Sequence, residues 1–517
     1  MRSFLTFLTT GLAVLVPALF GDFARAAEER PDLVIAVQQN PPKLDPVLFS
    51  RNVSLRVLYN VFDYPIDTDF NAGWALKPGL ATEWTRVDDT TLELKLREGV
   101  TFHDGSEMTA EDVAFSYGPV HMSAEDSPGY ALTRPYMGTI KSVEAIDRYR
   151  VRITTHAPDP LLERRLAGWS AQIVSKAAFE RLNDWDAWAQ SPIGTGPYKV
   201  VDVATDDYIL LESHDDYWGG KPPFKSIRFK VVPELSARIA GLRAGDFDMI
   251  TEVTPDQVEA IRSLDGFDVV GGSTVNHRVI NLGTNSGWLA DPRVRKAMSL
   301  AIDRQLVVDA LWAGLVEIPN GFQWDAYGET FIADYPGAVY DPEAAKTLLE
   351  EAGYDGSPIA YRSQAGYYTA ELLTAQAIAD MWRDVGIDVD LQIKDGWGQI
   401  FEQPLDAAFN GSINMNYPDM LGSLWPLYGP TGFIQTRAKS WSNARYAEIG
   451  QALETELDPK KRLALHRETL EIFHDVDPPS IVLHSLGIFY GKRDGLEWEP
   501  YPLPYMDFRA RNVSLRN

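Results

Sequence analysis

Short strand patterns alternate with capped helix patterns along most of this 517-residue chain, which restricts it to a mixed α/β fold. Residues 33–37 form a continuous apolar run that predicts a buried strand. Residues 91–96 alternate apolar and polar side chains and predict a strand with one solvated face. Asp291-Pro292 and Asp341-Pro342 each place an N-cap residue before a proline, which predicts a helix start. The length of the chain predicts about three domains. No internal repeat interrupts these patterns, and we expect the domains to be joined by short crossings.

Further elements are predicted by local chemistry. Thr109 opens a helix, because an acidic residue follows three positions later as in a capping box. Gly245 is the expected left-handed end of a helix over residues 234–243. Residues 372–382 have helical periodicity, and residues 386–391 alternate as a strand. Helices and strands are therefore mixed in both halves of the chain.

Composition excludes several functional classes. The chain contains no Cys, so disulfides, thiolate metal sites, iron–sulfur clusters and a Cys nucleophile are excluded. It has 73 acidic and 48 basic residues, a formal charge of −25. This charge would repel a phosphate backbone, so we expect no nucleic-acid partner.

Residues 1–26 have the pattern of a secretory signal peptide. Arg2 supplies positive charge, residues 4–20 are an apolar stretch broken by Pro17, and Ala24-Arg25-Ala26 resembles a small-x-small cleavage site. The apolar stretch is shorter than the ~20 residues that span a bilayer as a helix. We therefore expect removal of this segment and, since no Cys can carry a lipid, a freely diffusing protein in the periplasm rather than a lipoprotein.

Motifs for catalysis are weak. No His pair has zinc-peptidase spacing, and neither a Gly-x-Ser-x-Gly elbow nor a phosphate-binding loop is present in the sequence. His103-Asp104 followed by Gly105 is more typical of a turn after a strand than of a catalytic dyad. A secreted glycoside hydrolase stays open as an alternative, because the chain has 14 Trp and several acidic pairs. Its candidate carboxylates are Asp215, Asp216, Asp246 and Asp248.

The most specific motif lies between residues 78 and 113. It combines Pro78-Gly79-Leu80-Ala81, Trp84, the run over residues 92–105 and Thr109-Ala110-Glu111-Asp112-Val113. Shorter fragments follow in order: Gly194-Thr195-Gly196-Pro197-Tyr198, Tyr217-Trp218, Gly245-Asp246-Phe247-Asp248, Ala301-Ile302-Asp303 and Val385-Gly386-Ile387. In this order they resemble the periplasmic solute-binding proteins of ABC importers, family 5, which includes oligopeptide-, dipeptide-, nickel- and opine-binding members.

The resemblance implies an α/β, two-lobed periplasmic-binding-protein fold of type II, cluster C, with an extra small domain inserted in the first lobe. It places lobe I at residues 27–62, 189–280 and 486–517, the inserted subdomain at 63–188, and lobe II at 281–485. The implied function is the non-enzymatic capture of a small polar solute, of peptide, opine or sugar-conjugate type, in the interlobe cleft and its delivery to an inner-membrane ABC permease. We expect a monomer without cofactors. A chelated metal is an alternative ligand.

A departure from the family pattern bears on the ligand. Peptide-binding members carry a Trp-x-x-Asp segment in lobe II, and that Asp holds the peptide ammonium group. Here Ile413 stands at the Trp position and Asn416 at the Asp position. We therefore predict a ligand without a free amino terminus held in this way, such as an opine or a sugar conjugate. Asp419, three residues later, could restore the charge if the loop is shifted.

The resemblance suggests further ligand contacts. Trp397 aligns with a family aromatic at the cleft edge. Arg362 and Gln364 lie where dipeptide binders place an Arg for the ligand carboxylate. Polar residues near the lobe crossing and at the end of the first strand complete the predicted set: Asn276, His277, Gln39 and Asn40.

Overall fold

The computed structural model describes residues 30–47, 52–204, 206–364 and 366–516. The predicted signal peptide, residues 1–26, lies outside these described residues. Within them, no helix has the length and apolar character needed to cross a membrane.

The strands are numbered here in chain order. They are β1 (Asp32–Val37), β2 (Ile66–Asp69), β3 (Ala75–Pro78), β4 (Ala81–Asp88), β5 (Thr91–Leu96), β6 (Ile140–Asp147), β7 (Arg150–Thr155), β8 (Tyr198–Ala204), β9 (Tyr208–Ser213), β10 (Ser226–Val231), β11 (Met249–Ile250), β12 (Phe267–Leu282), β13 (Ile359–Gln364), β14 (Val389–Lys394), β15 (Ala407–Asn414), β16 (Ser480–Arg493), β17 (Leu496–Trp498) and β18 (Val513–Leu515).

The α-helices are numbered in the same way. They are α1 (Asn52–Leu58), α2 (Ala110–Ser116), α3 (Tyr130–Met137), α4 (Leu162–Arg165), α5 (Lys176–Leu182), α6 (Trp185–Trp188), α7 (Leu235–Ala244), α8 (Pro255–Arg262), α9 (Pro292–Leu300), α10 (Arg304–Trp312), α11 (Pro342–Ala352), α12 (Glu371–Asp384), α13 (Trp397–Ile400), α14 (Met420–Ser423), α15 (Trp425–Tyr428), α16 (Ala444–Thr455) and α17 (Pro459–Glu471).

The predicted helix ends are confirmed by their hydrogen bonds and backbone angles. The Asp291 carboxylate accepts from Arg293 N at 2.9 Å before α9, and the Asp341 carboxylate accepts from Ala344 N at 2.9 Å before α11. Thr109 precedes α2 and forms the capping box with its acidic partner. Gly245 ends α7 with φ +83°, where a side chain would be strained. The caps therefore fix where these helices start and stop.

One ten-stranded mixed sheet runs through the molecule, in the order β14-β13-β15-β12-β16-β11-β1-β10-β9-β8. The strands at one end come from the first and middle parts of the chain, whereas β13 to β15 at the other end belong to its second half. The apolar run at 33–37 lies in β1, between β10 and β11, as its buried pattern predicted. The sheet thus has two halves that meet at β12 and β16.

β12 and β16 are long antiparallel strands that connect the two halves. Residues 267–273 of β12 pair with 487–493 of β16, and residues 277–281 pair with 480–485. The register shifts between these two blocks. At the shift Thr274 Oγ1 donates to Leu486 O at 2.7 Å. This crossing is the position expected for the hinge of the two-lobed fold that the resemblance implies.

A separate four-stranded antiparallel sheet, β4-β5-β7-β6, forms the centre of the inserted region. The apolar face of β5, whose alternation was predicted, buries Leu92, Leu94 and Leu96 completely or nearly so. These leucines pack with Val151 and Ile153 of β7 in one apolar core. Burial of such side chains contributes about 1.5–3 kcal/mol each. The exact domain boundaries given by the resemblance stay a prediction.

Candidate functional site

Three adjoining cavities lie along the second half of the sheet, and they are together called the groove. The hinge cavity contacts both halves and β16, with an open volume of about 760 Å³. The aromatic cavity, about 680 Å³, shares Tyr367 and Tyr368 with it. The insert cavity, about 860 Å³, shares Ser412, Leu427 and Phe433 with the aromatic cavity. The three cavities therefore adjoin one another at shared lining residues.

The hinge cavity is where the two halves face each other. Gln38 and Gln39 line it from the end of β1, and residues 486–490 of β16 form its floor. Residues 367–369, in the loop between β13 and α12, line it from the other half. A solute held here would contact both halves at once, and these contacts would stabilise a closed state of the protein.

An ion pair lies in the first-half wall of the hinge cavity. Arg56 of α1 pairs with Glu252, and its Nη1 donates to Thr251 Oγ1 at 3.1 Å. Burial alone would raise the pKa of Glu252, but the Arg56 guanidinium outweighs it and holds that pKa below its ordinary value. Glu252 also has φ +49°, an uncommon backbone conformation for a non-glycine residue. The wall is therefore polar but locally neutral.

The aromatic cavity has a wall of stacked rings. Trp397 stacks on Phe401 with 5.4 Å between centroids, and the Tyr367 ring meets Trp397 edge-on at 5.0 Å. Asn410, Gly411 and Ser412 of β15 line the opposite side with polar groups. Apolar walls with a few polar groups are typical of small-molecule sites.

The insert cavity lies between β15 and α3. Tyr136 and Leu132 line it from α3, while Ser412 and Asn414 line it from β15. Outside the cavity, Arg165 Nη1 of α4 donates to Tyr417 Oη at 2.9 Å across the same interface. The inserted region therefore closes one end of the groove.

Three residues of the predicted ligand-contact set border this groove directly or through a neighbour. Gln39 and Trp397 line the hinge and aromatic cavities respectively. Asn276 is buried, and its amide donates to the side-chain oxygen of Asn414, which lines the insert cavity. The structure brings these residues to one cleft.

Other predicted contact residues are engaged within the protein. Arg362 Nη1 donates to Ile400 O and Glu402 O at 3.0 and 2.8 Å. Asn40 Nδ2 donates to Phe229 O at 3.1 Å. Gln364 contributes its backbone N–H to the Glu371 carboxylate at 3.4 Å. None of these three predicted residues lines the three cavities described here.

His277, Asn416 and Asp419 also lie outside the cavity walls. His277 is fully buried and packs on Trp324 with 4.3 Å between ring centroids. Asn416 is half-buried against Tyr136, at the interface with the inserted region. Packing therefore directs His277 away from the cavities, whereas Asn416 contacts Tyr136, which lines the insert cavity.

Asp419 is part of a buried charge cluster. Its carboxylate caps α14 by accepting from Leu421 N at 2.9 Å, and it pairs with Arg462 at 2.6 Å. Burial opposes ionisation, but His466 and Arg462 together hold the pKa of Asp419 below its ordinary value. The carboxylate therefore stabilises lobe II rather than facing the groove.

Several cleft residues were missed by reasoning from the sequence. Arg56, Glu252 and residues 486–490 come from three distant segments that only the fold brings together. Tyr367 and Tyr368 carried a usable signal, since two adjacent aromatic residues follow a glycine in a loop after a strand. Such loops often carry binding residues.

The carboxylates of the hydrolase alternative lie away from this groove. Asp248 accepts from Val34 N at 2.7 Å and pairs with Arg493. Asp215 pairs with Arg30 and Lys221 at 2.6 and 3.1 Å and lines a different, outer cavity with Asp216. His103-Asp104-Gly105 forms the predicted turn, with Gly105 N bonded to Phe102 O.

Known proteins share this architecture. The heme-binding protein A of Haemophilus influenzae is 27% identical over 477 residues, which cover 85% of this chain and 83% of the relative. The dipeptide-binding protein of Escherichia coli is 24% identical over 513 residues, or 92% and 93% of the two chains. The periplasmic binding protein DppA of Helicobacter pylori, solved in complex with the peptide STSA, matches with a TM-score of 0.81 and 23% identity, covering 94% of this chain and 99% of that chain.

The hinge strands and the groove between the lobes define a two-lobed binding protein. Residues 75–435 match the model of the bacterial extracellular solute-binding proteins, family 5 Middle. The chain therefore belongs to the bacterial extracellular solute-binding proteins, family 5. Its general function is solute binding. The family and the fold class expected from the sequence motifs are therefore confirmed.

Proposed function

We propose that this protein is a periplasmic receptor that captures a small polar solute in the interlobe groove, closes on it, and delivers it unchanged to an inner-membrane ABC permease. The carrying observation is the hinge cavity, where Gln38 and Gln39 face residues 367–369 across the two strands that join the lobes. Binding shifts an open population to a closed one, because both walls contact the solute only after closure.

We infer the solute class from Asn416 and from what the relatives are named to bind. The relatives named above bind heme, dipeptides and a tetrapeptide according to their names. In this chain Asn416 replaces the acidic residue that holds a peptide ammonium group in peptide binders. We propose a ligand without that ammonium contact, such as an opine or a sugar conjugate. A chelated metal is the alternative to be tested beside it.

The groove favours binding over hydrolysis. A glycoside hydrolase needs two carboxylates about 5–10 Å apart beside the bond it cleaves. Among the described residues that line the three cavities, Glu252 is the one carboxylate, and it is paired with Arg56. We therefore propose a monomeric, non-enzymatic receptor that is exported by the N-terminal signal peptide.

The test begins with native mass spectrometry of whatever co-purifies with the protein. Candidates are then added in a thermal-shift assay, with opines, sugar conjugates, dipeptides and metal–histidine complexes in one panel. A true solute at 100 times its dissociation constant stabilises the protein by about 2.7 kcal/mol. It should be recovered chemically unchanged after incubation. Turnover of any panel compound by the pure protein would contradict the proposal.

A pair of tryptophan variants tests the position of the site. Trp397→Ala removes an aromatic wall of the groove and should weaken binding of the co-purified solute at least tenfold. Trp288→Ala is the matched control, because Trp288 is also half-buried in the second half but packs on Tyr354 outside the groove. Equal effects of the two substitutions would place the solute elsewhere.

A further inference from the structure

Eight arginine side chains are buried in the described part of the chain, and one of them differs in its surroundings. Five pair with carboxylates: Arg56, Arg165, Arg295, Arg462 and Arg509. Arg238 and Arg304 instead donate to several backbone or hydroxyl oxygens. Arg278 of β12 makes one hydrogen bond within the described ranges, from Nη1 to Gly411 O at 2.6 Å, and no ion pair.

The charge of Arg278 is therefore poorly compensated by the protein. Only 1% of the residue is exposed, and burying an unpaired charge is costly. The Tyr368 ring covers the guanidinium, with 3.6 Å from Cζ to the ring centroid, and this cation–π contact offsets part of the cost. Glu371 accepts from Tyr368 N at 3.0 Å and Asn410 Nδ2 at 3.1 Å, but it forms no ion pair with Arg278 in the described structure.

Arg278 lies directly behind the wall of the aromatic cavity. Gly411, which accepts its hydrogen bond, lines that cavity, and so do Ser412 and Tyr368. Tyr368 also lines the hinge cavity, so its ring separates the guanidinium from both. One side-chain hydrogen bond holds this ring in place, from Tyr368 Oη to Ser412 Oγ at 3.1 Å. A rotation of Tyr368 would open the guanidinium to the groove.

We propose that Arg278 is the anion anchor of this groove and that the transported solute carries a carboxylate. On binding, the carboxylate takes the place of the Tyr368 ring and pairs with the guanidinium, whose planar fork suits a two-pronged carboxylate contact. Arg362, the residue expected from the sequence for this role, is occupied by the two carbonyls of Ile400 and Glu402. The inference rests on the solute-binding function proposed above and adds the chemical class of the ligand.

The experiment uses the full mature chain and a small-molecule extract of bacterial growth medium as the probe. One half of the extract is left untreated, and in the other half the carboxyl groups are converted to methyl esters. The protein is incubated with each half, separated from free compounds, denatured, and analysed by mass spectrometry. The wild type should retain at least one carboxylate-bearing compound from the untreated half and at least tenfold less of its ester.

Three variants test the role of Arg278 itself. Arg278→Gln removes the charge and should lower retention of the acid at least tenfold, whereas Arg278→Lys keeps the charge without the fork and should lower it less. Arg304→Gln is the matched control, because Arg304 is equally buried but satisfied by oxygens outside the groove. Melting temperatures show whether each variant is folded. If Arg278→Gln does not fold, Arg278→Lys is used to test the role of Arg278.

The outcomes separate this inference from the proposed function. Equal retention of acid and ester by the wild type, or full retention of the acid by a folded Arg278 variant, would overturn the role of Arg278 while leaving a solute-binding protein. Retention of no compound from either half would overturn the proposed function together with this inference.

Discussion

Asn416 is the single side chain from which the ligand class is predicted. By resemblance it stands where peptide binders carry an acid, and it lies half-buried against Tyr136 at the insert interface. We predict that Asn416→Asp raises affinity for dipeptides by one to two decades, because a charge-assisted hydrogen bond to an ammonium group is worth about 1.5–3 kcal/mol. Calorimetric titration with an unmodified dipeptide measures the gain.

The control for this change is Asn285→Asp, which adds the same charge at an exposed position outside the groove. It should leave dipeptide affinity unchanged. Tight dipeptide binding by the unmodified protein would be the result that refutes the interpretation of Asn416.

Local sequence explains the position of some predicted contact residues, and packing explains the position of others. Contact with a solute stays a prediction for all of them. Gln39 and Trp397 line the groove. Gln39 follows the end of β1, and Trp397 belongs to an aromatic cluster. Asp419 was considered as a replacement acid, but Arg462 reaches it from a helix 43 positions away. No local pattern shows that Arg278 lacks an ion pair among the described residues. That property depends on which side chains the fold brings near the guanidinium.

At the level of elements, the crossing of β12 and β16 depends on a close backbone contact. Gly271 has φ +108°, and a Cβ there would lie 2.1 Å from Ile488 O. We predict that Gly271→Ala lowers the free energy of unfolding by more than Gly245→Ala. At Gly245 the φ is also positive but nothing lies within 4 Å.

The expected sizes follow from strain and overlap. Gly245→Ala carries the backbone cost alone, about 1–2 kcal/mol. Gly271→Ala adds a steric overlap of about 1–3 kcal/mol between the two crossing strands. Urea unfolding of both variants measures the difference, and equal losses would show that the strands at the crossing adjust without cost.

The elements found from the sequence are those with strong end signals. α9 and α11 begin after the predicted Asp-Pro caps, and β5 has the predicted bounds of residues 91–96. Residues 279–282 by themselves indicate only a short strand, whereas in the structure they end the long β12, whose earlier part contains Gly271 and Gly272. Glycines usually weaken a strand pattern, so the full length of β12 could not be predicted from its own residues. It depends on pairing with β16, which is far away in sequence.

At the scale of the whole molecule, four histidines of the described residues are wholly or partly buried and neutral. Burial lowers the pKa of His103, His277 and His484 to about 3 and that of His474 to about 4. Below pH ~6.5 the unfolded chain binds a proton at each of these residues while the folded chain does not. The contribution of these four histidines to stability is therefore complete above pH ~6.5 and is lost as pH decreases toward 4.

We predict a loss of about 1.4 kcal/mol per pH unit for each of these histidines below pH ~6. Urea unfolding at pH 7, 6 and 5 measures the slope for the wild type. His277→Gln removes one group that takes up a proton on unfolding, so it should reduce that slope by about 1.4 kcal/mol per pH unit. His156→Gln is the surface control, because His156 is exposed. Stability that stays constant from pH 7 to 5 would mean that the buried histidines take up protons in the folded state.

The central claim is that two lobes close on a solute around the β12–β16 crossing. The chain has no Cys, so two engineered cysteines, Glu259→Cys and Asp380→Cys, can carry spin labels at exposed sites of the two halves. Pulsed dipolar spectroscopy then measures the distance between the labels before and after addition of the co-purified solute. The account predicts two distance populations in the solute-free protein and a shift toward the shorter one on binding. A single distance that is unchanged by the solute would contradict it.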